Sequence, residues 1–333
     1  MVDLHLHLDG SLTANEIISL ARADNVSLPT FDEKELNRLI CANENCESLS
    51  EYLEKFEIPL SVLQSEKNLE TAVYFLLKRL NEQGIAYAEI RFAPLLHTRN
   101  KMSVETATQS AVNGLEKACG EFPIKANLIL CLMRIDGCET ENLQTVKVAK
   151  DFLGKGVCAI DLAGGELGNP TEKYSNPFNL AELLRIPFTI HAGEADSAQN
   201  VVTAVRYGAK RIGHGVKCAN DENAKSLLKR RNVLLELCYT SNLQTKAVLK
   251  GEEYPLKRFL NEGVKVSINT DNTTVSNTTL KNEYLKIKNL YSFENETLKT
   301  LCLNAVESAF ISDSEKEEIK EKVNSNFFNW IGE

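Results

Sequence analysis

No stretch of this sequence holds enough consecutive apolar residues to span a bilayer. No block of Lys and Arg offers a surface for nucleic acid or anionic lipid, and a formal net charge of −8 argues against both. No C-x-x-C pair occurs among the nine cysteines, so neither a zinc ribbon nor a thioredoxin-like redox site is encoded. Cysteines scattered in this way read as reduced packing residues, which implies a reducing compartment. No G-x-G-x-x-G or P-loop opens a helix, which removes the signatures of dinucleotide and NTP binding. No charged n-region, apolar h-region or cleavage site precedes the first strand, so the cytoplasm is the expected location. Histidine is scarce too, with five among 333 residues, and a residue type this rare is informative by where it falls.

The residues that are present, 43% hydrophobic and 25% charged, are ordinary for a globular chain. The chain opens on an apolar run that contains His5-Leu6-His7-Leu8-Asp9-Gly10. In a strand, period two puts both imidazoles on one face, about 7 Å apart along the chain, where they can converge on a metal. Two buried, hydrogen-bonded histidines are the alternative. A helical insertion comes next. Thr13-Ala14-Asn15-Glu16 forms a capping box, and residues 31–39, 49–63 and 69–80 continue in helical period. Leu69, Val73, Leu76, Leu77 and Leu80 make one core stripe.

Strands then alternate with helices. The strands are expected at 85–92, 124–133, 157–162, 188–191, 211–214, 232–237 and 264–269, and the helices between them at 103–119, 141–153, 179–184, 198–207, 223–230 and 256–261. Further helices close the chain, the last opened by Ser312-Asp313-Ser314-Glu315. Eight strands, each followed by helix, predict a (β/α)8 TIM barrel of α/β class. It is expected as a single domain, 1–333, with a helical lid inserted after the first strand at about 13–80. A doubly wound open sheet is the runner-up.

A barrel gathers the C-terminal ends of its strands into one mouth. Four of the five histidines fall at such ends: His5 and His7 on the first strand, His191 on the fifth and His214 on the sixth. Gly164 follows the fourth strand, Glu194 the fifth, and Asp271-Asn272 the eighth. His97, in the loop after the second strand, stands apart. His5, His7, His191 and Asp271 make a ligand set suited to zinc or another first-row divalent ion. With room for water, such a site is hydrolytic, because the ion lowers the pKa of water. No lysine stands at the fourth strand end to bridge two metals, so one metal per chain is expected. His214 is then a base or an electrostatic partner. Glu194 is a carboxyl available for proton donation, or else a carboxylate facing a helix N-terminus.

These motifs resemble the adenosine deaminase family of metal-dependent amidohydrolases. The resemblance is carried by the opening H-L-H-L-D-G, Arg91-Phe92-Ala93-Pro94, Asp161-Leu162-Ala163-Gly164-Gly165-Glu166, His191-Ala192-Gly193-Glu194, Arg211-Ile212-Gly213-His214-Gly215, Thr240-Ser241-Asn242 and Ser267-Ile268-Asn269-Thr270-Asp271. They run in family order along nearly the whole chain, with the bacterial type nearest. The resemblance implies zinc on His5, His7, His191 and Asp271. It implies that Glu194 protonates purine N1, that His214 orients or deprotonates the water, and that Asp271 helps. It implies a backbone donor to N3 at Gly164, a contact from Asp9 to the ribose 5′-hydroxyl, and an apolar lid carrying Leu53 and Phe56. The H-x-E and P-C-x-x-C elements of cytidine-type deaminases are missing.

Relatives acting on adenine or aminofutalosine resemble H-L-E-G at the first strand, and those acting on N6-methyl-AMP carry Asn where Asp9 stands. A carboxylate beside the 5′-oxygen repels a phosphate, so Asp9 favours adenosine and 2′-deoxyadenosine over a nucleotide; Arg99 and Lys101 are the nearby cations that could favour one. The family usually reads Asp-Asp after the last strand. Asp271-Asn272 keeps the metal ligand and changes the partner of purine N7. Deamination of another aminopurine and a non-catalytic purine-binding role are the competing readings; the intact ligand set and Glu194 speak against the second. Oligomeric state is not encoded in any motif.

Overall fold

A strand covered on both faces loses its polar alternation and becomes a short, nearly continuous apolar run. The computed structural model describes residues 1–42 and 46–332, and every such run in it pairs in parallel. The strands are β1 (Val2–His7), β2 (Tyr87–Phe92), β3 (Lys125–Met133), β4 (Val157–Ala163), β5 (Thr189–Ala192), β6 (Arg211–His214), β7 (Leu234–Leu237) and β8 (Val266–Ile268). They pair in chain order in two runs, β1 to β4 and β5 to β8. Bridges from Ile160 to Phe188 and from Leu6 to Asp271 join the runs into a ring. The architecture is the TIM barrel.

Among the described residues, five α-helices lie between β1 and β2: α1 (Ala14–Asp24), α2 (Glu33–Ile40), α3 (Leu49–Leu53), α4 (Glu57–Val62) and α5 (Glu66–Glu82). The outer ring continues with α6 (Val104–Glu121), α7 (Glu139–Phe152), α8 (Ser175–Leu183), α9 (Ala198–Tyr207) and α10 (Glu222–Arg231). Next come α11 (Tyr239–Gln244) and α12 (Leu256–Asn261), and after β8 α13 (Leu280–Tyr291), α14 (Asn295–Ser308) and α15 (Asp313–Ile331). Both expected capping boxes form, at Thr13 with Glu16 and at Ser312 with Glu315. The stripe from Leu69 to Leu80 is buried throughout.

Some boundaries differ from the pattern, each for a local reason. The helix expected from Phe31 starts at Glu33, because Asp32 caps it through the Glu35 N–H; Phe31 stays 44% exposed. The helical run 49–63 is broken by a 3-10 turn at Glu54–Phe56. β7 and β8 begin late because the N–H groups of Val233 and Val264 close the preceding helices, bonding to Leu228 and Phe259 carbonyls. The short helix α11 had no periodic signal.

The lower barrel interior is charged instead of aliphatic. Glu89, Arg91, Asp161, Arg211 and Glu236 are all fully buried there. Arg91 donates to Asp161 at 3.0 Å and to Glu236 at 2.9 Å. Arg211 donates to Glu236 at 2.6 Å and also pairs with Glu89. Burial opposes ionisation of Glu236, yet the two guanidiniums outweigh it and hold its carboxyl well below the usual range. This layer is the floor on which the site rests.

Candidate active site

His5 and His7 leave β1 on the interior side with ring centroids 5.4 Å apart. β5 adds His191, and its Nε2 lies 3.2 Å from that of His7. Asp271 arrives from the end of β8, its Oδ1 at 3.3 Å from His5 Nε2 and 3.4 Å from His7 Nε2. The backbone holds this last residue in place. The His7 N–H donates to the Asp271 carbonyl and the Asp271 N–H to the His5 carbonyl, both at 2.8 Å. Asp271 has φ 63° and His214 has φ 65°, in the left-handed region. Non-glycine residues held there cost roughly 1–3 kcal/mol each and gather at functional sites.

The four donor atoms lie within 4.8 Å of one another. His5 Nε2 is buried with no hydrogen-bond partner. Its Nδ1 meets Glu236 at 2.9 Å, and His191 Nδ1 meets Asp161 at 2.8 Å. The Glu236 carboxylate takes the His5 Nδ1–H and leaves the Nε2 lone pair facing inward, as metal-binding histidines require. Asp161 stands behind His191 at ion-pair distance without the alignment of a hydrogen bond. Burial keeps His7 and His191 neutral, pulling both below the ordinary histidine value. At His5 burial favours the neutral ring too, but the Asp271 and Glu236 carboxylates outweigh it and raise this histidine above its ordinary value. Three imidazoles and one carboxylate with a shared focus fit a divalent ion that displaces the His5 proton, so the chain carries a candidate metal site. His214 and Cys238 also come near Asp271, but burial pushes the Cys238 thiol well up and keeps it protonated.

Above this focus lies a cavity of ≈ 210 Å³. His7, His191, His214, Asp271 and Glu194 face it from the barrel; Asp9, Gly164 and Asn272 face it from the loops. Leu53 and Phe56 line it from the insertion. The structure therefore brings every residue expected to hold the metal, react or contact substrate to one place, with His5 fully buried beneath the cavity. Arg99 reaches the cavity wall and pairs with Glu57 at 3.2 Å, whereas Lys101 does not line it. His97 is a buried structural residue, bonded to the Leu63 carbonyl at 2.9 Å.

Glu194 is 5% exposed, and burial pushes its carboxyl up to about 8, with the carboxylates of Asp271 and Glu166 adding to the shift. The group is protonated at neutral pH and placed to donate. Thr245 donates to its Oε1 at 3.0 Å, and His214 Nε2 is 3.6 Å from its Oε2. His214 Nδ1 is met by the Asn242 amide at 3.0 Å, and Asn242 Oδ1 accepts from Tyr254 at 3.0 Å. Burial also raises Asp9 to about 6. Gly10 permits a close approach: a Cβ there would sit 1.8 Å from Asn272 Oδ1 and 2.9 Å from the Phe56 ring.

Sequence reasoning missed the residues behind these. Tyr52 lines the cavity beside Leu53, and Cys131 and Met133 close its far side. Glu236, Asp161, Glu166 and Thr245 act on the site without belonging to an obvious ligand pattern. Only the placement of Asp161 and Glu166 in one motif offered a signal.

Comparison with known proteins agrees with this geometry. The profile of the family described as adenosine deaminase matches residues 1–326. An adenosine deaminase of Haemophilus ducreyi is 42% identical over 321 residues, covering 95% of this chain and 93% of that protein. One from Clostridium botulinum strain 657 is 41% identical over 324 residues, 97% of each. The crystal structure of an adenine deaminase from Arthrobacter aurescens superposes with a TM-score of 0.88 at 27% identity, covering 97% of this chain and 98% of that one.

Proposed function

This chain belongs to the adenosine deaminase family, and we propose that its cavity binds adenosine or 2′-deoxyadenosine and hydrolyses the 6-amino group, releasing inosine or deoxyinosine and ammonia in purine salvage. The observation that carries this reading is Glu194, a carboxyl buried at the cavity wall, raised to about 8 and thus proton-bearing, beside the focus of His5, His7, His191 and Asp271.

We assign those four residues to one zinc ion per chain. Zinc there supplies Lewis acidity that brings the pKa of a water toward neutrality. The remaining steps belong to the chain's own groups. Glu194 gives its proton to purine N1 as water adds at C6, which breaks the ring's aromaticity. His214 and Asp271 flank the reacting face and hold the water toward C6. The Gly164 N–H meets N3, Asp9 accepts from the 5′-hydroxyl, and Asn272 faces N7. Leu53 and Phe56 cover the base and exclude bulk water. N1 keeps the proton from Glu194. Of the two protons of the added water, one passes by way of His214 to the leaving amine, which departs as ammonia, and the other returns to the Glu194 carboxylate as C6 becomes a carbonyl.

We read the chain, 1–333, as one hydrolase domain in which the segment at about 13–80 serves as the lid. One continuous apolar core joins α1, α2 and α5 to the barrel strands, which supports that reading. No helix of the described residues is long and apolar enough to cross a membrane, and the free cysteines fit a reducing cytoplasm.

The test is ammonia release from adenosine, 2′-deoxyadenosine, adenine and AMP by the zinc-loaded protein. The two nucleosides are expected to lead in kcat/KM. A preference for adenine or AMP would overturn the assignment of Asp9.

A further inference from the structure

We propose that Glu166 is a positioning residue that locks the loop after β4 to the loop after β5, fixing the distance between the Gly164 N–H and the Glu194 carboxyl. The inference rests on the proposed roles of those two residues toward N3 and N1 of one purine ring.

Glu166 is 2% exposed and makes no salt bridge among the described residues, although the Arg134 guanidinium lies near enough to feel its charge. Its carboxylate is instead wrapped by backbone. Oε1 accepts from the Gly193 N–H at 2.6 Å and from the Asn200 amide at 2.9 Å. Oε2 accepts from the N–H groups of Glu194, Ala195 and Asp196 at 3.0, 2.9 and 3.0 Å. Four successive N–H groups pointing into one concavity form an anion-binding nest. Gly193, at φ 66°, turns the chain into it. The segment between the end of β5 and the start of α9 thus takes its shape from one side chain that belongs to another loop.

Asn200 makes the lock two-sided. Its Oδ1 accepts from the Thr171 N–H at 2.9 Å while its amide holds Glu166. The Glu166 carbonyl also accepts from Asn169 at 2.9 Å, which tightens its own loop. Gly164 stands two residues before Glu166, and the Glu194 N–H is one of the four donors. Both substrate-reading groups are therefore referred to one carboxylate. Substituting its acceptor oxygens would leave buried N–H groups unpaired and free the two loops to drift apart, and misplacement by about 1 Å costs on the order of a hundredfold in rate.

The test uses Glu166→Gln, in which the amide nitrogen faces N–H groups instead of accepting from them. In the zinc-loaded variant, kcat on adenosine should fall about ten- to hundredfold with KM changed far less and metal content unchanged. A conservative Glu166→Asp should recover little, since it keeps the charge but cannot reach the nest. The readout that a merely structural role would not move is discrimination between adenosine and 3-deazaadenosine. If Glu166 holds Gly164 against N3, the wild-type preference for adenosine should shrink in Glu166→Gln, giving a non-additive cycle. Additive effects, or a kcat within about twofold of wild type, would overturn the proposal. Should Glu166→Gln fail to fold, Asn200→Ser decides by the same cycle: reduced N3 discrimination supports the lock and unchanged discrimination overturns it. Amide hydrogen exchange separates this proposal from the proposed activity. Protection at Gly193 to Asp196 should drop in the variant whatever the substrate, and unchanged protection sinks the lock even if the wild type deaminates adenosine.

Discussion

The Asn272 amide, in the loop after β8, donates to the Tyr52 hydroxyl on α3 at 3.0 Å. That hydroxyl shares a second bond of 2.6 Å with Ser276, so one phenol joins the insertion to the barrel mouth. Tyr52→Phe removes the acceptor and leaves a buried amide hydrogen unpaired, at a cost of about 1–3 kcal/mol. Thermal denaturation should show the loss, and KM for adenosine should rise because the cover is less firmly held. An unchanged KM would mean that α3 is held by its apolar contacts alone.

The second hydrogen of the Asn272 amide remains for purine N7, an acceptor. Replacing N7 by C–H should make 7-deazaadenosine a markedly poorer substrate for the wild type, by roughly 1–3 kcal/mol in kcat/KM. The penalty should largely vanish in Asn272→Ala. Steady-state rates for two nucleosides on two proteins form the cycle, and additivity there would separate Asn272 from N7.

Glu194→Gln keeps size and a hydrogen-bond donor but has no proton to transfer. Turnover should fall about 10²–10⁴-fold with zinc content unchanged. The raised carboxyl also affects stability. In the unfolded chain Glu194 titrates near 4.5, and in the folded protein near 8. Between those values the native state holds the extra proton, so this group's contribution to stability falls as pH rises from about 4.5 to 8. Urea denaturation of the metal-free protein across that window should show the slope, reduced in Glu194→Gln. An equal slope in both proteins would put the titration elsewhere.

Metal loading obeys the same logic with the opposite sign. Histidines bind metal when neutral; burial lowers His7 and His191 below their ordinary value, whereas the Asp271 and Glu236 carboxylates outweigh burial at His5 and raise it. Zinc affinity should therefore weaken as pH falls through the range where His5 takes up its proton, with His7 and His191 staying neutral to lower pH. His5→Ala or Asp271→Ala should bring metal content, measured by elemental analysis, well under one per chain. Two tightly held ions per chain would contradict the single-ion assignment.

Arg91 is the least replaceable residue beneath the site, since it pairs with the two carboxylates that stand behind His191 and His5. Arg91→Met leaves Asp161 and Glu236 buried with that charge removed. Breaking a buried pair in this way costs about 3–5 kcal/mol. A loss smaller than about 1 kcal/mol in chemical denaturation would show that Arg211 alone carries the layer.

That layer also shows where reading a sequence stops. The strands were readable because burial on both faces leaves apolar runs, and the mouth was readable because scarce histidines fall at strand ends. Arg91 and Glu236 lie 145 residues apart, and a charged residue in a strand ordinarily marks a solvent face. Only ring closure turns both inward. Glu166 escaped for a different reason: its partners are backbone N–H groups, which leave no signature in side-chain identity. The family resemblance names Leu53 and Phe56 as an apolar lid, and both line the cavity; Tyr52 joins them there through a hydroxyl that bonds Asn272 and Ser276, a long-range pairing that local pattern does not report.

The hydrogen bonds that join His5 and His7 to Asp271 make the seam of the barrel and the metal focus one structure. Its two sides lie more than 260 residues apart in the chain, a long-range contact of the type that forms slowly. During synthesis the two N-terminal histidines emerge first and wait for their carboxylate until β8 has left the ribosome. The centre is thus completed only when the ring closes. An ion bound across that seam acts as a clasp, and chelation should speed opening of the β1–β8 edge ahead of the rest of the barrel.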